Sequence, residues 1–279
     1  KEGLTLRINA TFFIGLILML ACFLIQHGGI LRSARATMLM GVAALLPLML
    51  IGIVPLLTGD LPRENFVPLV PLGHDAAGAP IDGAWDKAGW ILFIGGLFIA
   101  AWSTYGFETA VCYTREFKDP KQDTFKAIFY SGLMCLAVFI LVPLSFQGAL
   151  GLTGMLAPDI YSGMGVGKAM AGMLGGGPFI ETVVAILLIF ALMLTIMTAM
   201  AGSSRTLYQS SVDGWLPRYL SHVNEQGAPT RAMWTDLCFN LILLMMSDYL
   251  FILAASNVGY IIFNFLNLNA GWIHRMDRP

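Results

Sequence analysis

The amino-acid sequence predicts an all-α integral membrane protein, and three observations carry this prediction. Hydrophobic residues make up 57% of the 279 residues and charged residues only 12%, about half of the roughly 25% that is usual in soluble domains. The mean hydropathy is +0.74. Seven apolar stretches approach the roughly 20 residues that a helix needs to cross a bilayer. Their approximate bounds are 8–27, 36–58, 89–114, 125–149, 178–202, 232–247 and 249–273.

The first two predicted helices are apolar runs joined by a short turn. The first lacks a basic leader and a cleavage site, so it is not a signal peptide. The second contains Pro47 and Pro55, which are expected to kink it. The following connection, 59–88, is rich in Gly, Pro and Asp and is long enough for a short surface helix. Because all seven helices share one membrane, we treat residues 1–279 as a single transmembrane domain.

The third predicted helix carries a glycine and an ionisable residue at membrane depth. Gly106 costs about 1 kcal/mol of helix propensity, and a carboxylate such as Glu108 costs about 2.5–3.5 kcal/mol at a helix centre. The hydroxyls of Ser103 and Thr104 can bond freed backbone groups. We therefore expect the helix to break near 103–107 and to resume after Glu108. Non-helical backbone at this depth is tolerated only beside a cavity or buried protein.

Such a break offers complementary partial charges to a zwitterion. The N–H groups that begin the second half suit a carboxylate, and the carbonyl groups that end the first half suit an ammonium group. Trp102, Tyr105 and Phe107 could wall the cavity and stack against a cationic or aliphatic moiety. The alternative is a merely kinked helix in which Glu108 is hydrogen-bonded inside the bundle.

The four later helices carry fewer signals. Asp119-Pro120 is expected to end the broken helix, and Asp123-Thr124 can cap the fourth helix. The connection 150–177 is long enough for another short surface helix, and Ser247-Asp248 forms a short turn between the last two helices.

Several polar side chains in these later helices allow two interpretations. Thr195 and Thr198 can face a cation or a substrate, or else bond a carbonyl of their own helix. Asn257 is expected to join helices more often than to contact a ligand. Three charged residues lie at the end of the fifth helix and just beyond it, Arg205, Asp213 and Arg218. They belong either to a gating ion pair or to a solvated face.

The basic residues set the orientation. With the turn 28–35 in the cytoplasm, 11 of the 16 Lys and Arg residues fall on that side, as the positive-inside rule requires. The predicted cytoplasmic segments of this cell-membrane protein are 28–35, 115–126, 203–231 and 274–279. The first helix then begins outside. If the native N-terminus is cytoplasmic, an odd number of helices precedes it, so we expect a fragment of a longer protein.

Three stretches together resemble permeases of the amino acid–polyamine–organocation (APC) superfamily. "GFETAVCYTREFKDPKQDTFKAI" (106–128) is similar to the sixth helix and the turn after it. "AGSSRTLYQSSVDGWLPRYLSHVNEQGAPTRA" (201–232) is similar to the end of the eighth helix and its cytoplasmic segment. "NVGYIIFNFLNLNAGWIHRMDRP" (257–279) is similar to the tenth helix and its exit. The resemblance covers nearly the whole chain, whose helices would be the fourth to the tenth of about twelve.

The resemblance implies a five-plus-five inverted-repeat fold with broken first and sixth helices and alternating access around a midplane site. It implies secondary transport of amino acids or related amines, by symport or exchange with coupling to H+ or Na+. Together with the two threonines, it gives the following candidates. Substrate-binding residues are Trp102, Ser103, Thr104, Tyr105, Gly106, Phe107 and Thr198, and coupling or gating residues are Glu108 and Thr195. In the family, the Trp102 position is an aromatic gate in some antiporters, and the Glu108 position serves proton sensing or bracing.

Two departures from the family pattern limit what the resemblance implies. The helix 36–58 contains no lysine, which weakens a lysine-based proton mechanism. A tryptophan of arginine-type antiporters falls on Ala199, which weakens an arginine-exchange assignment. The family's broken first helix has no counterpart in this sequence, so half of the substrate site is missing from it.

Other classes of function remain as alternatives. A membrane amino-acid sensor would bind in the same cavity without transport, whereas a channel would need charged rings and a continuous polar pore. An enzyme is not expected, because the membrane part carries no nucleophile–base pair or phosphate loop. The four cysteines lack metal-ligand spacing. The expected partners are a small amino acid or amine and the lipid bilayer, with no nucleic acid and no resident cofactor, and the oligomeric state stays open.

Overall fold

A computed structural model describes residues 6, 8–59, 61–67, 69–74, 80–103, 106–246 and 249–277, and it confirms the all-α fold class with a broken helix. Nine α-helices lie in this described part of the chain. They are α1 (Ala10–His27), α2 (Ile30–Thr58), α3 (Lys87–Ser103), α4 (Pro120–Met155), α5 (Pro158–Tyr161), α6 (Val166–Met173), α7 (Pro178–Val212), α8 (Thr230–Met245) and α9 (Tyr249–Met276). Three 3-10 helices span Arg63–Phe66, Phe107–Glu116 and Arg218–Ser221.

The seven predicted membrane helices all coincide with observed helices. Within the described residues, five helices are long and apolar enough to cross a membrane, namely Ala10–His27, Ile30–Thr58, Pro120–Met155, Pro178–Val212 and Phe251–Met276. The third and sixth predicted spans fall on the shorter helices α3, of 17 residues, and α8, of 16 residues. These helices fit a protein that crosses the membrane several times.

The connections differ from the sequence-based expectation in detail. The segment 59–88 holds a four-residue 3-10 helix and an unpredicted antiparallel hairpin of β1 (Leu72–His74) and β2 (Pro80–Asp82). The segment 150–177 holds α5 and α6. Strands of three residues are too short to show the alternation of apolar and polar residues that identifies a strand. The predicted turn at Ser247-Asp248 lies outside the described residues.

The start of α4 corrects the predicted capping. Asp119 is the N-cap, and its Oδ1 accepts a hydrogen bond from the Gln122 backbone N–H at 3.2 Å. Asp123 adds a reciprocal hydrogen bond, because its Oδ2 accepts from the backbone N–H of Asp119 at 3.1 Å. The two carboxylates therefore occupy the donors that a helix start leaves unpaired. Near its other end, α4 is interrupted at Gly151, where φ is 69° and ψ is 168°.

Helix α7 lies at the centre of the buried core. Each of three clusters of buried apolar side chains includes a residue of α7. One joins Phe23, Met200, Ala228, Met233 and Leu237, another joins Ile51, Met170, Ala171 and Val184, and the third joins Cys22, Met40 and Met197. The clusters therefore hold α1, α2, α6 and α8 against one shared helix.

Buried polar side chains reinforce this packing by hydrogen-bonding backbone carbonyl oxygens or side chains of neighbouring helices. Gln26 Nε2 of α1 donates to the Met197 carbonyl of α7 at 2.8 Å, and Ser33 Oγ of α2 donates to Gln26 Oε1 at 2.8 Å. Ser145 Oγ of α4 donates to the Gly52 carbonyl of α2 at 3.0 Å. Since a buried polar group is costly without a partner, these bonds fix how α1, α2, α4 and α7 pack together.

Two of the predicted cytoplasmic segments lie together. Asn224 Nδ2 donates to the carbonyl of His27, at the end of α1, at 3.0 Å. Gly29 has φ of +90°, and a Cβ atom there would come within 2.9 Å of the Gln226 carbonyl oxygen. The turn after α1 and the segment before α8 are thus in contact, as a shared side of the membrane requires.

Candidate functional site

The backbone breaks within the third predicted helix. Helix α3 ends at Ser103, Gly106 adopts φ 101° and ψ −17°, and a 3-10 helix begins at Phe107. The expected restart after Glu108 is therefore wrong, because the chain resumes two residues earlier, and as a 3-10 helix rather than an α-helix. A 3-10 run of ten residues is unusually long, and such runs within a helix often mark a hinge. The candidates Thr104 and Tyr105 lie outside the described residues.

Gly106 occupies the left-handed region of backbone space. An L-residue with a side chain pays about 1–2 kcal/mol there. No described atom lies within 4 Å of the position that a Cβ atom at Gly106 would occupy. Glycine is therefore required by the backbone conformation of the break, and crowding plays no part. The Gly106 carbonyl accepts a hydrogen bond from the Thr109 N–H at 3.0 Å, which begins the 3-10 helix.

A cavity of about 530 Å³ lies beside this break. Its walls come from the end of α3, the start of the 3-10 helix, the middle of α7 and α9. The lining residues are Trp102, Ser103, Gly106, Thr109, Thr195, Thr198, Ala199, Ser256 and Tyr260. Five of the predicted site residues therefore share one cavity. Phe107 and Glu108 are the first two residues of the 3-10 helix, and the structure describes only their backbone.

The two threonines of α7 use their hydroxyl hydrogens within their own helix. Thr195 Oγ1 donates to the Ala191 carbonyl at 3.0 Å. Thr198 Oγ1 lies 3.0 Å from the carbonyl oxygens of both Leu194 and Thr195. This is the structural alternative considered for them from the sequence. Each hydroxyl oxygen keeps lone pairs, so both side chains can still accept a hydrogen bond from an ammonium group in the cavity.

Four lining residues, Thr109, Ala199, Ser256 and Tyr260, were not among the site residues predicted from the sequence. Thr109 follows the break, and Ser256 and Tyr260 lie four positions apart on α9, so they share one helix face. Asn257 points to a different neighbour, because its Nδ2 donates to the Phe98 carbonyl of α3 and its side chain is 0% exposed. The asparagine therefore joins α9 to α3, as expected. The four-residue spacing of Ser256 and Tyr260 is the sequence feature that could have predicted their shared place in the cavity wall.

A charged contact connects the 3-10 helix to α7. Arg205 Nε lies 3.0 Å from Glu116 Oε1, and the arginine side chain is 14% exposed. The guanidinium carbon lies 4.7 Å from the centre of the Tyr113 ring. The predicted partner Asp213 instead accepts a hydrogen bond from Gln209 Nε2 at 2.7 Å. The contact ties the segment after the break to α7 at the predicted cytoplasmic end.

The Arg205–Glu116 pair lines a second cavity, of about 560 Å³. The exposed thiol of Cys112 lines the same space. In the described part of the chain, no group of three or more His, Cys, Asp or Glu side chains is arranged to hold a metal ion.

The comparisons with known proteins agree with this architecture. The family described as amino acid permease matches residues 4–279. A branched-chain amino acid permease of Lactococcus lactis subsp. cremoris is 22% identical over 257 residues, which cover 91% of this chain and 51% of that protein. An uncharacterized transporter of Legionella pneumophila subsp. pneumophila is 27% identical over 158 residues, which cover 56% of this chain and 32% of that protein. No solved structure gives a significant match. The chain thus spans about half or less of the curated relatives it matches.

Proposed function

Because this chain belongs to the amino acid permease family, we propose that the protein is a secondary transporter of amino acids or related amines in the cell membrane. It works by alternating access around the break at 103–108. The observation that supports this proposal best is the cavity beside the break, whose volume of about 530 Å³ lies within the roughly 300–1,000 Å³ of small-molecule sites.

The break supplies groups that recognise the carboxylate and ammonium groups common to all amino acids. The N–H groups that follow Gly106 receive the substrate carboxylate, because the start of a helix carries positive partial charge. The carbonyl groups at the end of α3 and the hydroxyl oxygens of Thr195 and Thr198 accept from the ammonium group. Trp102 forms the aromatic wall of the substrate cavity, and Glu108 either braces the break or carries a coupling proton.

The substrate side chain is neutral in the simplest form of this proposal. None of the described residues that line the cavity bears a charge, so a cationic or anionic side chain would lose water without gaining a partner. The name of the Lactococcus lactis relative refers to branched-chain amino acids. Neutral aliphatic amino acids therefore come first in the test.

Counterflow of the full-length parent protein in proteoliposomes tests the proposal. Vesicles are loaded with one unlabelled amino acid or amine at a time, and uptake of the same labelled compound is measured. Saturable counterflow of one class of compound is the expected result. Well-folded protein that binds an amino acid but gives no counterflow across the panel would instead be a membrane sensor.

A pair of matched substitutions connects transport to the cavity. Thr198→Val removes a hydroxyl that lines the cavity. Thr182→Val removes one near the other end of α7 that likewise bonds its own helix, to the Pro178 carbonyl at 2.8 Å. A hydrogen bond contributes about 0.5–1.5 kcal/mol net, so Thr198→Val should raise KM for counterflow roughly 2- to 12-fold. Equal effects of the two substitutions would remove Thr198 from the site.

A further inference from the structure

A smaller cavity of about 190 Å³ adjoins the substrate cavity. It lies between α1, α7 and α8, and it shares Thr195 and Ala199 with the larger one. Its walls are mainly apolar. The lining residues are Met19, Thr195, Ile196, Ala199, Met200, Asp236 and Asn240.

Asp236 places a carboxyl group in this cavity, and the group is only partly satisfied. Its residue is 8% exposed, and within the described chain its buried Oδ2 has no hydrogen-bond partner. Ser203 lies near the carboxyl group, but its Oγ donates to the Ala199 carbonyl at 2.9 Å. Asn240 Nδ2 donates to the Asp236 backbone carbonyl at 2.9 Å. Because an isolated charge is very costly to bury, the unpaired Asp236 Oδ2 suits the binding of a positively charged species.

The surroundings favour a proton over a metal ion. Among the described residues that line the cavity, Asp236 alone is charged, so no side chain there serves as its counter-ion. Titratable groups on α8 and on the elements packed against it lie outside the lining. They are Cys22 and His27 of α1, Glu181, Arg205 and Tyr208 of α7, Arg218, Tyr219 and His222 beside α8, and Arg231 and Cys238 on α8 itself. Three lining residues offer side-chain oxygens, fewer than the shell that a dehydrated metal cation requires, whereas a proton needs only the carboxyl oxygen.

We propose that the Asp236 carboxyl is a proton-binding site that couples transport to a proton gradient. The carboxylate takes up one proton and becomes a neutral acid, and deprotonation on the other side of the cycle restores it. No other bond changes. Thr195 and Ala199 form walls of both cavities, so movement of the break against α7 around bound substrate alters access to Asp236. On this proposal the coupling proton is carried by Asp236 and not by Glu108. This inference rests on the proposed transport function.

Infrared difference spectroscopy of the purified full-length protein tests proton binding without any need for transport. Spectra at low and high pH should differ by the carbonyl band of a protonated carboxylic acid. Asp236→Asn should remove a band that the exposed-site control Asp213→Asn retains. Asp236→Glu keeps a carboxyl group and should shift the band, which decides the question if the amide variant does not fold. A band that is unchanged in both Asp236 variants overturns the inference.

Transport assays then test coupling. Wild-type protein should show counterflow and should accumulate substrate when the outside is more acidic, whereas Asp236→Asn should keep counterflow and accumulate no more than without a gradient. Gradient-driven accumulation that survives Asp236→Asn, or is absent from an active wild type, refutes the coupling role. Absence of counterflow from wild-type protein refutes the transport function instead, while the infrared result still decides whether Asp236 binds a proton.

Discussion

Replacing Gly106 by alanine tests the role of the break in substrate binding. The glycine has φ of 101°, and an L-residue in the left-handed region costs about 1–2 kcal/mol. No described atom lies within 4 Å of the new methyl group, so the cost is conformational and no clash adds to it. If the bound state requires this backbone while the substrate-free break of the alanine variant relaxes to negative φ, affinity should fall roughly 5- to 30-fold, since each 1.4 kcal/mol is about tenfold.

Gly96→Ala is the matched control, because Gly96 lies within α3 and also has open space around its Cβ position. Gly96 is not one of the glycines with positive φ, so alanine at this position should stabilise the helix by about 1 kcal/mol. Substrate affinity would be measured by equilibrium binding of the labelled substrate from the counterflow panel. Thermal unfolding of both variants would separate loss of binding from loss of folding.

The result that refutes this reasoning is specific. If Gly106→Ala binds substrate as tightly as wild type while remaining folded, substrate binding does not depend on a change between relaxed and left-handed backbone at residue 106. If Gly96→Ala loses as much affinity as Gly106→Ala, the effect is a general response of α3 to a larger side chain. Either outcome would refute the proposal that substrate binding selects the left-handed backbone at the break.

Three further predictions concern the contacts that hold the site. Glu116→Gln keeps the shape of the Arg205 contact and removes its charge, worth up to about 1 kcal/mol at this partly exposed position. If the pair gates the cavity that it lines, the counterflow rate should therefore change by up to about fivefold; an unchanged rate would exclude a gating role. Asn257→Leu removes the buried bond to α3 and should lower the melting temperature and weaken substrate binding together, whereas unchanged binding would separate α9 from the site. Gln26→Leu should lower the free energy of unfolding by about 1–3 kcal/mol in denaturant titrations without changing substrate affinity; an altered affinity would contradict its assignment to the core.

The positions of the helices could be predicted because hydropathy reports the length of chain that lies in a bilayer. Their ends could not, because α7 continues through polar residues to Val212, and a polar helix gives no hydropathy signal once it leaves the membrane. Gly106 revealed the break, since glycine next to an ionisable residue is costly in a regular membrane helix. The family match confirms the resemblance that the three sequence stretches indicated.

The site was only partly predictable, because residues from distant helices form it. Trp102 and Ser103 could be assigned from their place beside the break, whereas the contribution of Tyr260 depends on how α9 packs. Asp236 was not predicted as a site residue, because it lies near the start of the sixth predicted span. A carboxylate at that position is expected to extend to the membrane surface. Its burial in the observed cavity depends on α1 and α7, which only the three-dimensional packing reveals.

The uneven distribution of buried side chains has a consequence for motion. Helix α7 buries six residues, whereas α3 buries only Gly89. Segments with few buried contacts open at low free energy, and well-packed segments open only near global unfolding. Backbone amide hydrogens should therefore exchange with solvent deuterium slowest in the middle of α7 and much faster in α3 before the break, as expected if α7 stays fixed while the proposed substrate-binding segment moves.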